Sequence, residues 1–448
     1  LANYTTVQSV LNALYAALPV VAIAIASKQS RSARSYKPLK SLFGALLISA
    51  IAATVLNLLY ALPIDAKPQA WQIIRTTYLM FGLIWVMRGM VPWSQALVRR
   101  LFKLPDAADK ARRTWKTRLA YATPAVLLRL MLFPVLIAQG MTYRVKVIPS
   151  DTPRTLLGCD FEPVRFTTSD GLTISAWWIP AKRHTSRSTT QPAGWGERTV
   201  ILCHGLGSNK ANHLPLGREL VYAGYNLLAI DFRAHGESDG QICSFGDLER
   251  RDVLAAVGFL RTQRSANARR IALLGVSMGG AAALAAAGEE TDDARAINAV
   301  AVLSTYDRFA SAAESLLSSR LGSAIARPLV AAGIPLASMH AGTDPSSFAP
   351  STAAARLSPR PLFVAHGRDD EMIPLVTGER LFAAASEPKT ARWVGEWNGK
   401  QHVIRTNPAI VIDGVATPPV GPVANHNNLL YDDATLRAIR MFFDAALD

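Results

Sequence analysis

Ile271-Ala272-Leu273-Leu274-Gly275-Val276-Ser277-Met278-Gly279-Gly280, running on into Ala281-Ala282-Ala283-Leu284, is the stretch on which the fold turns. Ile271–Leu274 is a short apolar run of the length of a buried strand, and the Ala-rich segment after Gly280 reads as a helix. Between them lies G-x-S-x-G. A strand that passes straight into a helix needs a sharp turn, and side chains two positions either side of the serine would strike neighbouring backbone. Such a turn exposes the Ser277 hydroxyl and sets a helix N-terminus beneath it, where developing negative charge is favoured.

Outward from this point the chain alternates. Further apolar runs stand at Val200–Cys203, Asn226–Ile230, Ala299–Leu303, Pro361–Val364 and Arg392–Trp397, with helical stretches between them. Alternation of this kind predicts a mostly parallel sheet covered by helices. Ahead of it, Glu162–Thr168 and Leu172–Ile179 flank the turn residues Ser169-Asp170-Gly171, so a β-hairpin adds antiparallel strands at one edge. Sites in such sheets lie beyond the carboxyl ends of the strands, which directs attention to the polar residues that close each run.

Serine alone is a poor nucleophile and needs a base oriented by an acid. After Pro361–Val364 the chain reads Ala365-His366-Gly367-Arg368-Asp369-Asp370-Glu371-Met372-Ile373-Pro374, where three acids compete. Two histidines further on, His402 and His426, are candidates for the base. The stretch 403–423 between them contains Asn407-Pro408 and Thr417-Pro418-Pro419 and reads as an insertion.

These residues resemble the α/β-hydrolase superfamily, whose members often carry His-Gly-x-x-Asp-x-x-Val/Ile-Pro after this strand. The resemblance implies Asp370 as the acid, leaving Asp369 and Glu371 as solvated neighbours. Members commonly place the catalytic histidine in His-Asn-x-Leu before the last helix, as in His426-Asn427-Asn428-Leu429, which favours His426 over His402. It also implies an oxyanion hole made by the backbone N–H groups of Met278 and of Leu206, the latter in His204-Gly205-Leu206-Gly207-Ser208, with His204 structural. Asp231-Phe232-Arg233-Ala234-His235-Gly236-Glu237-Ser238 is similar to the superfamily's turn after the next strand. Residues 305–360, rich in Ala, Leu and Ser and interrupted by Pro328, Pro335, Pro345 and Pro350, occupy the place of a helical cap. The resemblance covers about 160–448.

The chain is long enough for two domains, at 448 residues. Its formal charge of +15 is unevenly spread: residues 1–150 hold 19 Lys/Arg and three acids, and the remainder is close to neutral. Basic loops between apolar spans mark membrane topology and speak against nucleic acid as a partner. Residues 7–27 and 41–62 are uncharged and of spanning length. Two further apolar stretches, within 71–98 and at 119–140, carry Arg75, Arg88 and Arg129. The loops at 28–40 and 99–118 hold most of the positive charge, which places them in the cytoplasm. Four spans then put 151–448 on the outer, periplasmic face of a bacterial inner membrane. A fourth stretch lying only along the interface would reverse that.

The expectation is therefore an α-helical transmembrane region, 1–150, followed by an α/β-hydrolase catalytic domain, 151–448. The three cysteines, Cys159, Cys203 and Cys243, match no zinc spacing, and a Cys159–Cys243 bridge is the one alternative to buried thiols. No metal constellation and no phosphate-cradling loop appears, so no cofactor is expected. The resemblance, to lysophospholipases and acyl esterases among others, implies Ser-His-Asp hydrolysis, and the apolar cap and the neighbouring lipid bilayer favour a small acyl or lipid ester as its substrate. Serine peptidases and thioesterases share the fold. A reading of another class makes the membrane segment a transport or assembly scaffold with a non-catalytic hydrolase-like domain. The sequence is silent on oligomeric state.

Overall fold

A computed structural model describes residues 142, 146–182, 194–343, 348–395, 426 and 428–447. The chain divides between Ala138 and Gln139. The four expected spans, His402 and the 403–423 stretch lie outside the described residues. Among the described residues, no helix is long and apolar enough to cross a membrane.

Among the described residues, eight strands form one sheet: β1 (Glu162–Thr167), β2 (Thr173–Ile179), β3 (Arg198–Cys203), β4 (Tyr225–Ile230), β5 (Arg270–Val276), β6 (Ile297–Leu303), β7 (Leu362–Gly367) and β8 (Lys389–Val394). Their spatial order is β1-β2-β4-β3-β5-β6-β7-β8. The leading hairpin pairs antiparallel, from Glu162 opposite Trp178 to Thr167 opposite Thr173, and β2 runs antiparallel to β4. Every pairing from β4 through β8 is parallel.

The apolar runs are continuous because the central strands are covered on both faces. Val200, Leu202, Leu227 and Ala229 face one layer, formed by α1 (Leu214–Tyr222) and by α7 (Asp433–Leu447). Ile201, Leu228, Leu273 and Val302 face the other. That layer is built from α2 (Glu249–Gln263), α3 (Met278–Ala287) and α6 (Leu375–Ala384). In α7 the buried residues Thr435, Ile439, Phe443 and Leu447 recur every four positions, a single stripe laid on the sheet. α3 is buried along its whole length, and its alanines let it approach the sheet closely.

Two boundaries differ from the sequence expectation. β8 begins at Lys389 and ends at Val394, ahead of the apolar run at 392–397. Among the described residues it is an edge strand paired only with β7, so half-buried residues such as Lys389 and Ala391 serve as well as apolar ones. Between β6 and β7 stand α4 (Phe309–Leu321) and α5 (Ser323–Ala341). Pro328 and Pro335 lie inside α5 and do not end it. They are two turns apart on one exposed face, where a carbonyl left without its N–H partner can be reached by water. Pro350 opens the short helix Pro350–Ala355, a position where a missing N–H costs nothing, and Pro345 lies outside the described residues.

Candidate active site

Parallel pairing aligns the carboxyl ends of the strands. Cys203 lies opposite Gly275, Val276 opposite Leu303, and Leu303 opposite Ala365. The polar residues that follow β3, β5 and β7 therefore emerge along one edge of the sheet.

Ser277 is the residue between β5 and α3. Its backbone is left-handed, at φ 53°, a conformation that side chains other than glycine rarely adopt. Its N–H donates to the Leu303 carbonyl at 2.8 Å, and its own carbonyl accepts from Gly280 and Ala281 N–H and from Thr305 Oγ1. The glycines around it are required by close approach. A Cβ on Gly275 would sit 2.6 Å from Gly280 N, and one on Gly279 would sit 2.1 Å from the Cys203 carbonyl oxygen. The turn is strained because its surroundings leave it no alternative.

Asp370, three residues past β7, is buried. Its Oδ1 accepts the N–H groups of Met372 at 3.0 Å and Ile373 at 2.8 Å. Its Oδ2 lies 2.7 Å from His426 Nδ1. A carboxylate can only accept, so Nδ1 carries the proton and Nε2 keeps a free lone pair. Asp369 and Glu371 are exposed, and the structure brings neither to His426. His366, not singled out by the sequence for a role, stands behind the acid. Its Nε2–H donates to the Ile373 carbonyl at 2.8 Å and lies 3.5 Å from Asp370 Oδ2. Burial lowers its pKa, which keeps the ring neutral.

The loop after β3 lies against the serine: a Cβ on Gly205 would be 3.6 Å from Ser277 Cβ and from the Val276 carbonyl. Within it, His204 Nε2 accepts the Phe232 N–H at 3.0 Å, so Nδ1 bears the proton and donates to the Gly205 carbonyl at 2.7 Å. Burial first, then the neighbouring His235, pushes the His204 pKa well below the ordinary histidine value. Among the described residues, no protein group accepts the N–H of Leu206 or of Met278. Met278 opens α3, where the first N–H groups have no partner within the helix.

This edge can be set against known proteins. The family described as Serine aminopeptidase, S33 (Hydrolase_4) matches residues 196–347. The uncharacterized protein YfhR of Escherichia coli O157:H7 is 31% identical over 228 residues, covering 51% of this chain and 69% of that protein. The chain belongs to the α/β-hydrolase superfamily, in the family of YfhR. The uncharacterized protein YqkD of Bacillus subtilis is 29% identical over 206 residues, covering 45% of this chain and 64% of its own. Among solved structures, the esterase Pf2001 of Pyrococcus furiosus is 22% identical with a TM-score of 0.49, covering 69% of this chain and 99% of that one.

The hydrolase has a polar frame behind this loop that sequence reading missed. Lys210 is fully buried, and its Nζ reaches Asp231 Oδ2 at 2.8 Å, Glu237 Oε2 at 2.6 Å and Ser175 Oγ at 2.9 Å. Its backbone N–H donates to Asp231 Oδ1 at 2.8 Å. The signal was present in Gly236, where any Cβ would fall 2.1 Å from Asp231 Cγ, but it names no partner for a lysine 26 residues earlier. His213, at the start of α1, lies 3.4 Å from Ser208 Oγ, and burial lowers its pKa to about 4.

On the other side, Phe245, Tyr306, Phe309, Ala312, Phe348 and Ile373 form an apolar cluster with Leu206 and Ile334 of α5 packed against it. It connects α4 and α5 to the loops that carry Leu206 and Asp370. The three cysteines of the hydrolase are buried thiols that form no disulfide among the described residues, so Cys159 and Cys243 are not bridged. Among the described residues, no group of His, Cys, Asp and Glu is arranged to hold a metal.

Proposed function

We propose that this hydrolase is a membrane-anchored serine enzyme that cleaves a carboxylic ester of an acyl chain or lipid. The observation that carries the reading is the pairing of a left-handed Ser277 at a helix N-terminus with an Asp370–His426 hydrogen bond on the same edge of the sheet. In this reading, His426 Nε2 takes the Ser277 hydroxyl proton as Oγ bonds to the substrate carbonyl carbon. The resulting oxyanion receives the N–H groups of Leu206 and Met278. The C–O bond to the leaving alcohol then breaks, and His426 returns the proton to that alcohol. A water deprotonated by His426 releases the acid and restores Ser277.

Two features favour an acyl substrate. The cluster around Phe245, Phe309 and Ile373 flanks Leu206 with apolar side chains. The first 150 residues combine long apolar stretches with basic loops, which supports a position beside lipid with the catalytic part on the periplasmic side. The test is hydrolysis by membrane and soluble fractions, using p-nitrophenyl esters of two to sixteen carbons, acyl thioesters and aminoacyl-arylamides. The reading expects membrane-bound ester hydrolysis that rises with chain length. Faster cleavage of arylamides would turn it to a peptidase, and activity that survives Ser277→Ala would turn it to a scaffold with incidental hydrolysis.

A further inference from the structure

The loop that holds Leu206 is fastened from behind on both sides of that residue. The carbonyl of Gly205 and the N–H of Leu206 belong to one trans peptide, so they point in opposite directions. That carbonyl accepts His204 Nδ1–H at 2.7 Å and Ser208 N–H at 3.3 Å. The next N–H, of Gly207, donates to His235 Nε2 at 3.1 Å. Among the described residues, no protein group accepts the Leu206 N–H between these two fastened groups.

His235 is itself built to accept. Its Nδ1 lies 2.8 Å from the Arg233 carbonyl, which can only accept, so Nδ1 carries the proton and Nε2 is bare. Its ring meets His204 edge-on, with centroids 5.1 Å apart, and both rings are buried. The carbonyl it leans on is held in turn. Arg233 N–H and Nε donate to Asp252 at 2.8 and 2.9 Å, and its Nη1 donates to Asp170 at 2.7 Å. Asp231, two residues before Arg233, receives both the backbone and the side chain of Lys210, closing the loop from its far end.

We propose that His235 is a positioning residue for the reaction: by accepting the Gly207 N–H it fixes the peptide plane next to Leu206 and so aims the Leu206 N–H at the developing oxyanion. This rests on the reading of Ser277 as nucleophile and Leu206 as oxyanion donor. His235 touches no substrate atom. It acts only where the oxyanion has formed, so it works on the transition state and not on substrate binding.

The experiment compares His235→Gln, His235→Asn and His235→Leu with the wild type and with Ser277→Ala in the full-length protein in membranes. Gln presents an oxygen near the position of Nε2, whereas Asn is one methylene too short to reach Gly207. Removing an oxyanion donor outright costs about a hundredfold or more in kcat, so misaiming one is expected to cost about tenfold. The expected result is that His235→Leu and His235→Asn lose about tenfold in kcat with KM within twofold, while Gln retains most of the activity. A trifluoromethyl ketone, whose adduct carries the oxyanion, should lose affinity in parallel with kcat/KM. Equal kcat in the Gln and Asn variants, or KM moving together with kcat while inhibitor affinity stays constant, overturns the proposal. Should His235→Leu not fold, the Gln and Asn pair answers the same question. Wild-type activity that persists in Ser277→Ala removes the nucleophile reading and the clamp together. Activity lost in Ser277→Ala but unchanged in every His235 variant removes the clamp alone.

Discussion

Replacing Asp370 by Asn should abolish turnover while leaving the fold in place, and the structure says why. The two carboxylate oxygens have different work. Oδ1 accepts two backbone N–H groups, from Met372 and Ile373, and Oδ2 accepts one proton, from His426 Nδ1. An asparagine has one accepting oxygen. Facing the backbone, it keeps both N–H bonds and turns its NH2 toward His426. Facing His426, it forfeits two bonds of about 1 kcal/mol each and buries two unmet N–H groups at about 1–3 kcal/mol each. The first orientation is therefore favoured by several kcal/mol. Its NH2 can only donate, so His426 must present a bare Nδ1 and carry its proton on Nε2, the atom that has to accept from Ser277. The negative charge that would stabilise the imidazolium is lost as well. The combined effect of a wrong tautomer and a missing charge is about 10⁴-fold in kcat, or about 5 kcal/mol in the barrier. Because the backbone bonds survive, the melting temperature should fall by only a few degrees. The assay is steady-state hydrolysis of a chromogenic ester at pH 8, with thermal unfolding in parallel. An Asp370→Asn enzyme within tenfold of wild type, with an unchanged melting temperature, would refute the assignment of the acid.

Other expectations follow from single contacts. Gly279→Ala would place a Cβ 2.1 Å from the Cys203 carbonyl oxygen and 2.5 Å from that of His204, both backbone. It should cost about 3 kcal/mol or more, whereas Gly333→Ala, with nothing within 4 Å, should be neutral or stabilising in thermal unfolding. His213 is held at about 4 by burial, against 6.5 in the unfolded chain. Its neutral form is the folded one, so stability is full above about pH 6.5 and falls by about 3 kcal/mol as pH drops toward 4. The melting temperature of His213→Gln should therefore fall less than that of wild type between pH 7 and pH 5. Lys210→Met leaves the buried Asp231 without its cation, and denaturant unfolding should show a loss of about 3–5 kcal/mol. Glu237→Gln, whose carboxylate is 43% exposed, should cost at most about 1 kcal/mol.

Much of this arrangement was legible in the chain because it is written locally. A strand closed by a turn and followed by a helix leaves its mark within ten residues, as 271–280 does. Strands covered on both faces must be apolar throughout, which made Val200–Cys203 and Ile271–Leu274 visible. Edge strands carry no such mark, and Lys389–Ala391 went unread for that reason. The prolines of α5 misled because their cost depends on which face they occupy, and the sequence does not record exposure. Asp370 was separable from Asp369 and Glu371 only through resemblance, since adjacent acids differ in direction and not in chemistry. The frame behind the loop after β3 joins His204 to Phe232, Gly207 to His235 and Lys210 to Asp231. Those contacts span 21 to 28 residues and depend on how two loops meet at the end of the sheet. No periodicity reports them.

The central claim is that Ser277 is a nucleophile activated by His426. Its most direct test is covalent labelling of membranes with a fluorophosphonate, followed by mass spectrometry of the labelled peptide. Wild type and the variants Ser277→Ala, His426→Ala and His402→Ala would be compared. The account predicts phosphonylation of Ser277, lost in Ser277→Ala and His426→Ala and kept in His402→Ala. A folded wild-type protein that takes no label, or one labelled at another residue with Ser277 intact, would contradict it.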